Sequence, residues 1–240
     1  IFNPTRVKVD MMTKEMPRRY WKNMPETALI PELLATAQAR ETKMVAVART
    51  APASDTDRLK AWEALKAEAG TCTRCSLHCH ATQTVFGEGP VDAAMMLVGE
   101  QPGDQEDLSG KAFVGPAGQL LDRALLDAGV PRRVTYVTNA VKHFKFEQRG
   151  KRRIHSKPNA GEIQACRWWY EQEALLIRPK MTVALGATAA RAVLGKAMKV
   201  ADVRGRNLPL PEGGVARVTI HPSYLLRLPD KGQAEEEYAR

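Results

Sequence analysis

Residues 151–158 read KRRIHSKP. Lys151, Arg152, Arg153 and Lys157 supply the positive charge that phosphates attract. In their midst stands His155. An imidazole titrates ordinarily at about 6.5, and neighbouring cations disfavour its charged form. A neutral ring keeps a lone pair for nucleophilic attack. By residue type alone His155 is either such a nucleophile or a solvated bystander.

The cysteines form the second cluster. CTRCSLHC places Cys72, Cys75 and Cys79 within eight residues, and Cys166 lies far downstream. A CxxC pair with distant partners favours a metal or cluster site over disulfides. Spacing alone admits zinc or an iron–sulfur centre. His78, His80 and His143 are further candidate ligands.

Three more motifs offer polar chemistry. GEQPGDQED (99–107) has the glycines and proline of a tight exposed turn. It presents the Gln101 amide and the Glu100 and Asp104 carboxylates for polarising or acid–base roles. It lacks the lysine–serine/threonine ending of a phosphate-binding P-loop. AFVGPAG (112–118) sets Phe113 before a helix start, where a ring either stacks on a flat base or fills core. HPSYLLR (221–227) puts His221 at a strand end, with Ser223 and Arg227 able to hold a phosphate.

Alternating strands and helices must position these groups. AAMMLVGE (93–100), VTYVTNAV (134–141), MTVALG (181–186) and VARVTIHPS (215–223) read as buried strands. Residues 59–69, 115–129, 159–179 and ATAARAVLG read as helices. This order predicts a three-layer α/β/α fold around a central four-stranded, mainly parallel sheet. Ligands of such sheets bind beyond the carboxyl ends of the strands. Gly99–Asp104, Asn139 and His221 all fall there.

The domain organisation expected is residues 1–46 as a separate block too small for its own core, 47–58 as a linker, and 59–240 as the main domain. The beginning at Ile1 and the abrupt end in KGQAEEEYAR both read as cuts. The chain has 240 residues, 36 Lys and Arg against 27 Asp and Glu, and a net charge of +9. That excess suits a polyanion, nucleic acid before an anionic membrane. No apolar run approaches the roughly 20 residues that span a bilayer.

Together the motifs FGEGP, GEQPGDQEDLSGKAFVGPAG, TNAVKHFKF, ACRWW and HPSYLLR resemble the uracil-DNA glycosylase superfamily. The resemblance is to its iron–sulfur, family 4-like branch, and within it to the UdgX type. GEQPG, VKHFKF and the KRRIH loop carry that finer match, over about residues 59–240. EMPRRYWKNMPE in residues 1–46 resembles the tail of an uncharacterised domain fused ahead of UdgX domains.

The resemblance implies a DNA repair enzyme that excises uracil and stays covalently bound, through His155, to C1′ of the abasic site. Gln101, Glu100 and His221 match catalytic positions. Gly99, Gly103, Asp104, Phe113 and Asn139 match the substrate pocket, with Phe113 stacking on uracil and Asn139 reading its edge. Lys151, Arg152, Arg153, Ser223 and Arg227 would meet DNA. A 4Fe–4S cluster is implied on Cys72, Cys75, His143 and Cys166, with Cys79 the alternative to His143. The implied partner is uracil-containing single-stranded DNA. The implied setting is a bacterial cytoplasm, at the nucleoid, with a monomer, no membrane and no obligate protein partner.

Overall fold

The chain divides into two units, residues 1–51 and 52–240. The structure, a computed structural model, describes residues 54–211 and 213–239. The block 1–46 and the first part of the expected linker lie outside them.

Helix α1 (Asp55–Ala69) begins four residues before the expected start. Ser54 caps it, its hydroxyl accepting from the Asp57 amide at 3.2 Å. A good cap extends a helix into a stretch whose composition resembles a linker. Strand β1 (Met95–Gly99) follows, then α2 (Asp104–Ser109), α3 (Pro116–Asp127) and β2 (Thr135–Asn139). Next come β3 (Phe146–Arg149), β4 (Arg152–His155) and the long α4 (Ala160–Ile177). Then β5 (Met181–Leu185) leads into α5 (Gly186–Leu194) and the single turn α6 (Val200–Val203). The described chain ends with β6 (Leu208–Pro209), β7 (Val215–Thr219), α7 (Pro222–Leu225) and α8 (Lys231–Ala239).

The main sheet runs β2-β1-β5-β7-β6. Its first four strands are parallel and in register, Gly99 opposite Asn139 and Val98 opposite Ala184. The expected four-stranded sheet thus gains a fifth member, the two-residue antiparallel edge β6. Its Leu-Pro pair is too short to announce a strand, and proline is tolerated at an edge.

Both faces are covered, as a parallel sheet requires. Met96, Val98, Tyr136, Ala184 and Val218 pack beneath Trp169 and Tyr170 of α4 and Ala189 and Ala190 of α5. On the opposite face Leu97, Val137 and Leu185 meet Leu121 and Leu125 of α3. Adjacent residues of one strand therefore feed two cores.

A buried ion pair crosses the first of these cores. The Lys142 ammonium and Glu173 carboxylate, both fully buried, meet at 2.5 Å. Lys142 also donates to Thr138 Oγ1 at 2.6 Å and to the Asn139 carbonyl at 2.8 Å. Glu173 accepts from the Gly87 amide and the Tyr136 hydroxyl, each at 2.9 Å. Tyr136 in turn accepts from the Trp62 indole of α1 at 2.8 Å. A buried pair so fully hydrogen-bonded fixes the relative placement of α1, β2 and α4.

The basic loop is not a loop. Residues 152–155 form β4, antiparallel to β3, with Phe146 opposite His155. The pair stands apart as its own two-stranded sheet. Its residues are mostly exposed, so no alternation of polar and apolar residues marks it as a strand.

Candidate active site

All four parallel strands deliver a functional side chain at their carboxyl ends. Glu100 and Gln101 follow β1, Asn139 ends β2, Thr188 lies just past β5, and His221 lies just past β7. The connection after β1 runs to β2 on one side, and that after β5 runs to β7 on the other. The crevice between β1 and β5 is therefore the switch point of the sheet, the usual place for a ligand.

A flat pocket wall is built first. Phe113 is buried, with a backbone φ of 55° in the left-handed region. That conformation is unusual for an aromatic residue and persists only where its surroundings impose it. Arg132 donates to the Phe113 carbonyl at 3.1 Å and to the Ala112 carbonyl at 2.7 Å. The Glu106 carboxylate accepts from the amides of Val114 at 3.0 Å and Gly115 at 2.8 Å. Its other oxygen accepts from the Gly103 amide at 3.0 Å. Gly118 completes the clamp: a Cβ there would sit 2.0 Å from the Phe113 carbonyl oxygen. At Gly99 a Cβ would stand 2.3 Å from Asn139 Oδ1 and 2.4 Å from Phe113 Cζ. Glycine here lets an aromatic face and an amide edge meet beside the strand end.

His221 faces the same wall, its ring 6.0 Å from that of Phe113 and tilted 28°. Its Nδ1 accepts from the Ser223 amide at 3.2 Å and lies 2.9 Å from Ser223 Oγ. In the neutral ring this assigns the proton to Nε2. Burial first, then the charges of Arg227 and His155, lower its pKa to about 4. His221 is thus a neutral N–H donor. Ser223 serves this histidine, and Arg227 is exposed and close enough to act on both histidines.

His155 comes to the site from the hairpin. Its Nε2 stands 3.4 Å from Glu100 Oε1. Its pKa is lowered, chiefly by burial and then by Arg227, with Glu100 opposing. The expected direction holds, but the cause is not the cations of its own loop. Glu100 is held in turn by the Thr188 hydroxyl, which donates to its Oε2.

Three side chains singled out in the sequence are engaged within the protein itself. Gln101 is buried and joined to the hairpin backbone: its Nε2 donates to the Lys145 and Ser156 carbonyls, each at 3.1 Å, and its Oε1 accepts from the Lys145 amide at 3.2 Å. Both ends of the amide are thus engaged with the backbone that flanks β3 and β4. Arg153 is no free phosphate contact. Its guanidinium binds Asp104 Oδ1 and the buried Asp107 Oδ2, each at 2.6 Å, and Thr82 Oγ1 at 3.0 Å. Asp104 thereby ties the hairpin to α2. Lys151 and Arg152, in contrast, are exposed.

The sulfur side lies behind β2. Cys72 and Cys166 are buried, Cys75 half-buried and Cys79 exposed. Burial raises the Cys75 thiol, and Cys72 and Cys79 push it further. Burial takes Cys166 up to about 12, with Lys142 opposing. Cys72 Sγ accepts from the Trp169 indole and Cys166 Sγ from the Lys142 amide, each at 3.1 Å. His143 is buried; its Nε2 is bonded to Thr84 Oγ1 at 2.9 Å while its Nδ1 has no partner. Burial and His78 lower its pKa, with Asp107 opposing, so its ring stays neutral. Among the described residues no three metal-binding side chains converge on a single-ion position. Three thiols and an imidazole nitrogen without a partner are donors of the kind that an iron–sulfur centre takes.

The sequence signal for Glu106 was weak but present. Glu106 is three residues past Gly103 at a helix start, the place of a capping glutamate. Nothing local marks Arg132, whose partners lie 10 to 44 residues away.

A parallel sheet with an aromatic ring, an amide and a neutral imidazole gathered at its switch point marks a ligand-binding α/β fold. The chain belongs to the uracil-DNA glycosylase superfamily, whose sequence profile ("Uracil DNA glycosylase superfamily") matches residues 86–240. It is similar to the type-4 uracil-DNA glycosylase of Thermotoga maritima, 39% identical over 157 residues, 65% of this chain and 78% of that protein. The type-4 enzyme of Pyrobaculum aerophilum is 35% identical over 176 residues, 70% of this chain and 86% of the relative. That of Archaeoglobus fulgidus is 33% identical over 175 residues, covering 70% and 83%. Among the described residues no helix is long and apolar enough to cross a membrane.

Proposed function

We propose that this protein excises uracil from DNA and that His155 then captures the sugar, as in the UdgX type. The observation that carries the reading is the 3.4 Å approach of His155 Nε2 to Glu100 Oε1, beside the wall of Phe113, Asn139 and His221.

Lys151, Arg152 and Arg227 hold phosphates of single-stranded DNA, so binding weakens steeply with salt. Uracil leaves the stack and lies against Phe113. The Asn139 amide pairs with O4 and N3–H of uracil, a pattern that cytosine reverses. The C1′–N1 bond breaks with both electrons passing to uracil. The Nε2–H of His221 stabilises the resulting anion, as a neutral donor in a dry site can. A ring nitrogen of His155 gives its lone pair to C1′, forming the new C–N bond. The Glu100 carboxylate aims the ring and balances the charge that it acquires. Holding the imidazole at the sugar replaces a bimolecular step by a local one.

Cys72, Cys75, His143 and Cys166 would hold a 4Fe–4S cluster, with Cys79 the alternative fourth ligand. When bound it supplies a cross-link between the 72–84 segment, the loop after β2 and α4. The chain's own residues do the chemistry described above.

A denaturing gel after incubation with uracil-containing single-stranded DNA tests the reading. Wild type gives a protein–DNA band that survives heat and detergent, and His155→Ser releases uracil without it. Free abasic product and no band from wild type would show instead that water is the nucleophile.

A further inference from the structure

We infer that Thr188 is a positioning residue for this reaction, fixing Glu100 so that its second oxygen faces His155. The inference rests on the function just proposed and names a residue that no motif singles out.

Thr188 is in the first turn of α5 and only 4% exposed. A threonine hydroxyl within a helix usually turns back to a carbonyl of the preceding turn. This one donates across the β1–β5 switch point to Glu100 Oε2. A hydroxyl on a carboxylate makes a charge-assisted bond, stronger and more directional than a neutral one. Because the donor is rooted in a helix and buried, the carboxylate it holds is not free to swing into solvent. The other oxygen, Oε1, is left pointing at His155 Nε2. The line Thr188–Glu100–His155 joins the end of one strand, the end of its neighbour and the hairpin. It has the logic of a nucleophile oriented by an acid that is itself oriented by a third group.

The test is single-turnover kinetics on uracil-containing single-stranded DNA, following adduct and released uracil together. Thr188→Val keeps the shape and removes the donor. It should slow adduct formation about tenfold to a hundredfold, the penalty of a misplaced group, with the half-saturating DNA concentration unchanged. Thr188→Ser restores the hydroxyl and should restore the rate. In a double-variant cycle, Thr188→Val should add nothing to Glu100→Gln, since residues acting as one unit are not additive. A Thr188→Val protein reacting at the wild-type rate overturns the inference, and so does a Ser variant as slow as the Val variant. If wild type forms no adduct, the covalent reading alone fails. Thr188 is then judged by uracil release, which Thr188→Val must slow and Thr188→Ser must not.

Discussion

Removing the Arg153 guanidinium should silence adduct formation more than excision. Arg153 joins β4 to α2 through Asp104 and Asp107, each at 2.6 Å, and its group lies over the Phe144 and Phe146 rings at 5.4 and 5.2 Å. Asp107 is fully buried; without Arg153 its carboxylate keeps, among the described residues, the Thr82 amide, at 3.0 and 3.1 Å. Breaking a buried pair from one side costs about 3–5 kcal/mol. Asp104 and the arginine itself are partly exposed, which draws the figure toward the lower bound. About 3 kcal/mol is roughly a hundredfold shift from docked to undocked hairpin. β3 and β4 bond to each other and to no strand of the main sheet, so the loss falls on the hairpin first. Arg153→Ala should slow the heat-stable band about a hundredfold, while uracil release from the strand-end pocket changes far less. Arg153→Lys keeps the charge but not the fork, and should fall between. Quantifying both products on one gel checks this. An Arg153→Ala protein that forms adduct within twofold of the wild-type rate refutes the reasoning.

Acid should weaken both fold and reaction. His221 is held near 4 against 6.5, so the unfolded chain takes up its proton first. The stability this group gives is complete above about 6.5 and is lost as pH falls toward 4, to an extent of about 3 kcal/mol at most. Urea titrations at neutral and acid pH should show the loss, and His221→Gln should flatten it. His155 is also lowered, so adduct formation should persist to mildly acid pH and vanish once the ring is protonated, which a pH–rate profile reads. Lys142→Met leaves Glu173 buried without its counter-charge and should cost about 3–5 kcal/mol in urea unfolding, with Glu173→Gln in the same chain recovering part. Gly99→Ala drives a methyl into Phe113 and Asn139; uracil release should fall at least about tenfold, a barrier of only about 1.4 kcal/mol, with the melting temperature less affected.

The strand ends were legible because buried parallel strands are written as short apolar runs, and the residues just past them stand out. Glu100, Asn139 and His221 could be placed in one site on that ground. The hairpin could not be read, since its strands bury no continuous face. Nor could the use of its charges. Arg153 is as basic as Arg152 in the sequence, yet its partners Asp104 and Asp107 are 49 and 46 residues away. Lys142 and Glu173, 31 residues apart, each look like surface residues until the fold buries them together. Thr188 sits in an alanine-rich helix and becomes informative only when β5 is set beside β1. Local pattern tells where a chain turns; it does not tell which distant charge or hydroxyl will meet it there.

The separateness of the hairpin has an evolutionary consequence. Among the described residues the strands within 146–155 pair with each other alone, and their tethers, Gln101 and Arg153, are side chains rather than sheet hydrogen bonds. Such a segment can be inserted, shortened or recast without disturbing the order of the parallel strands. On the function proposed, base removal rests on residues at the ends of the sheet strands. On the same proposal, the fate of the sugar rests on this appendage of ten residues, which small local edits can recast.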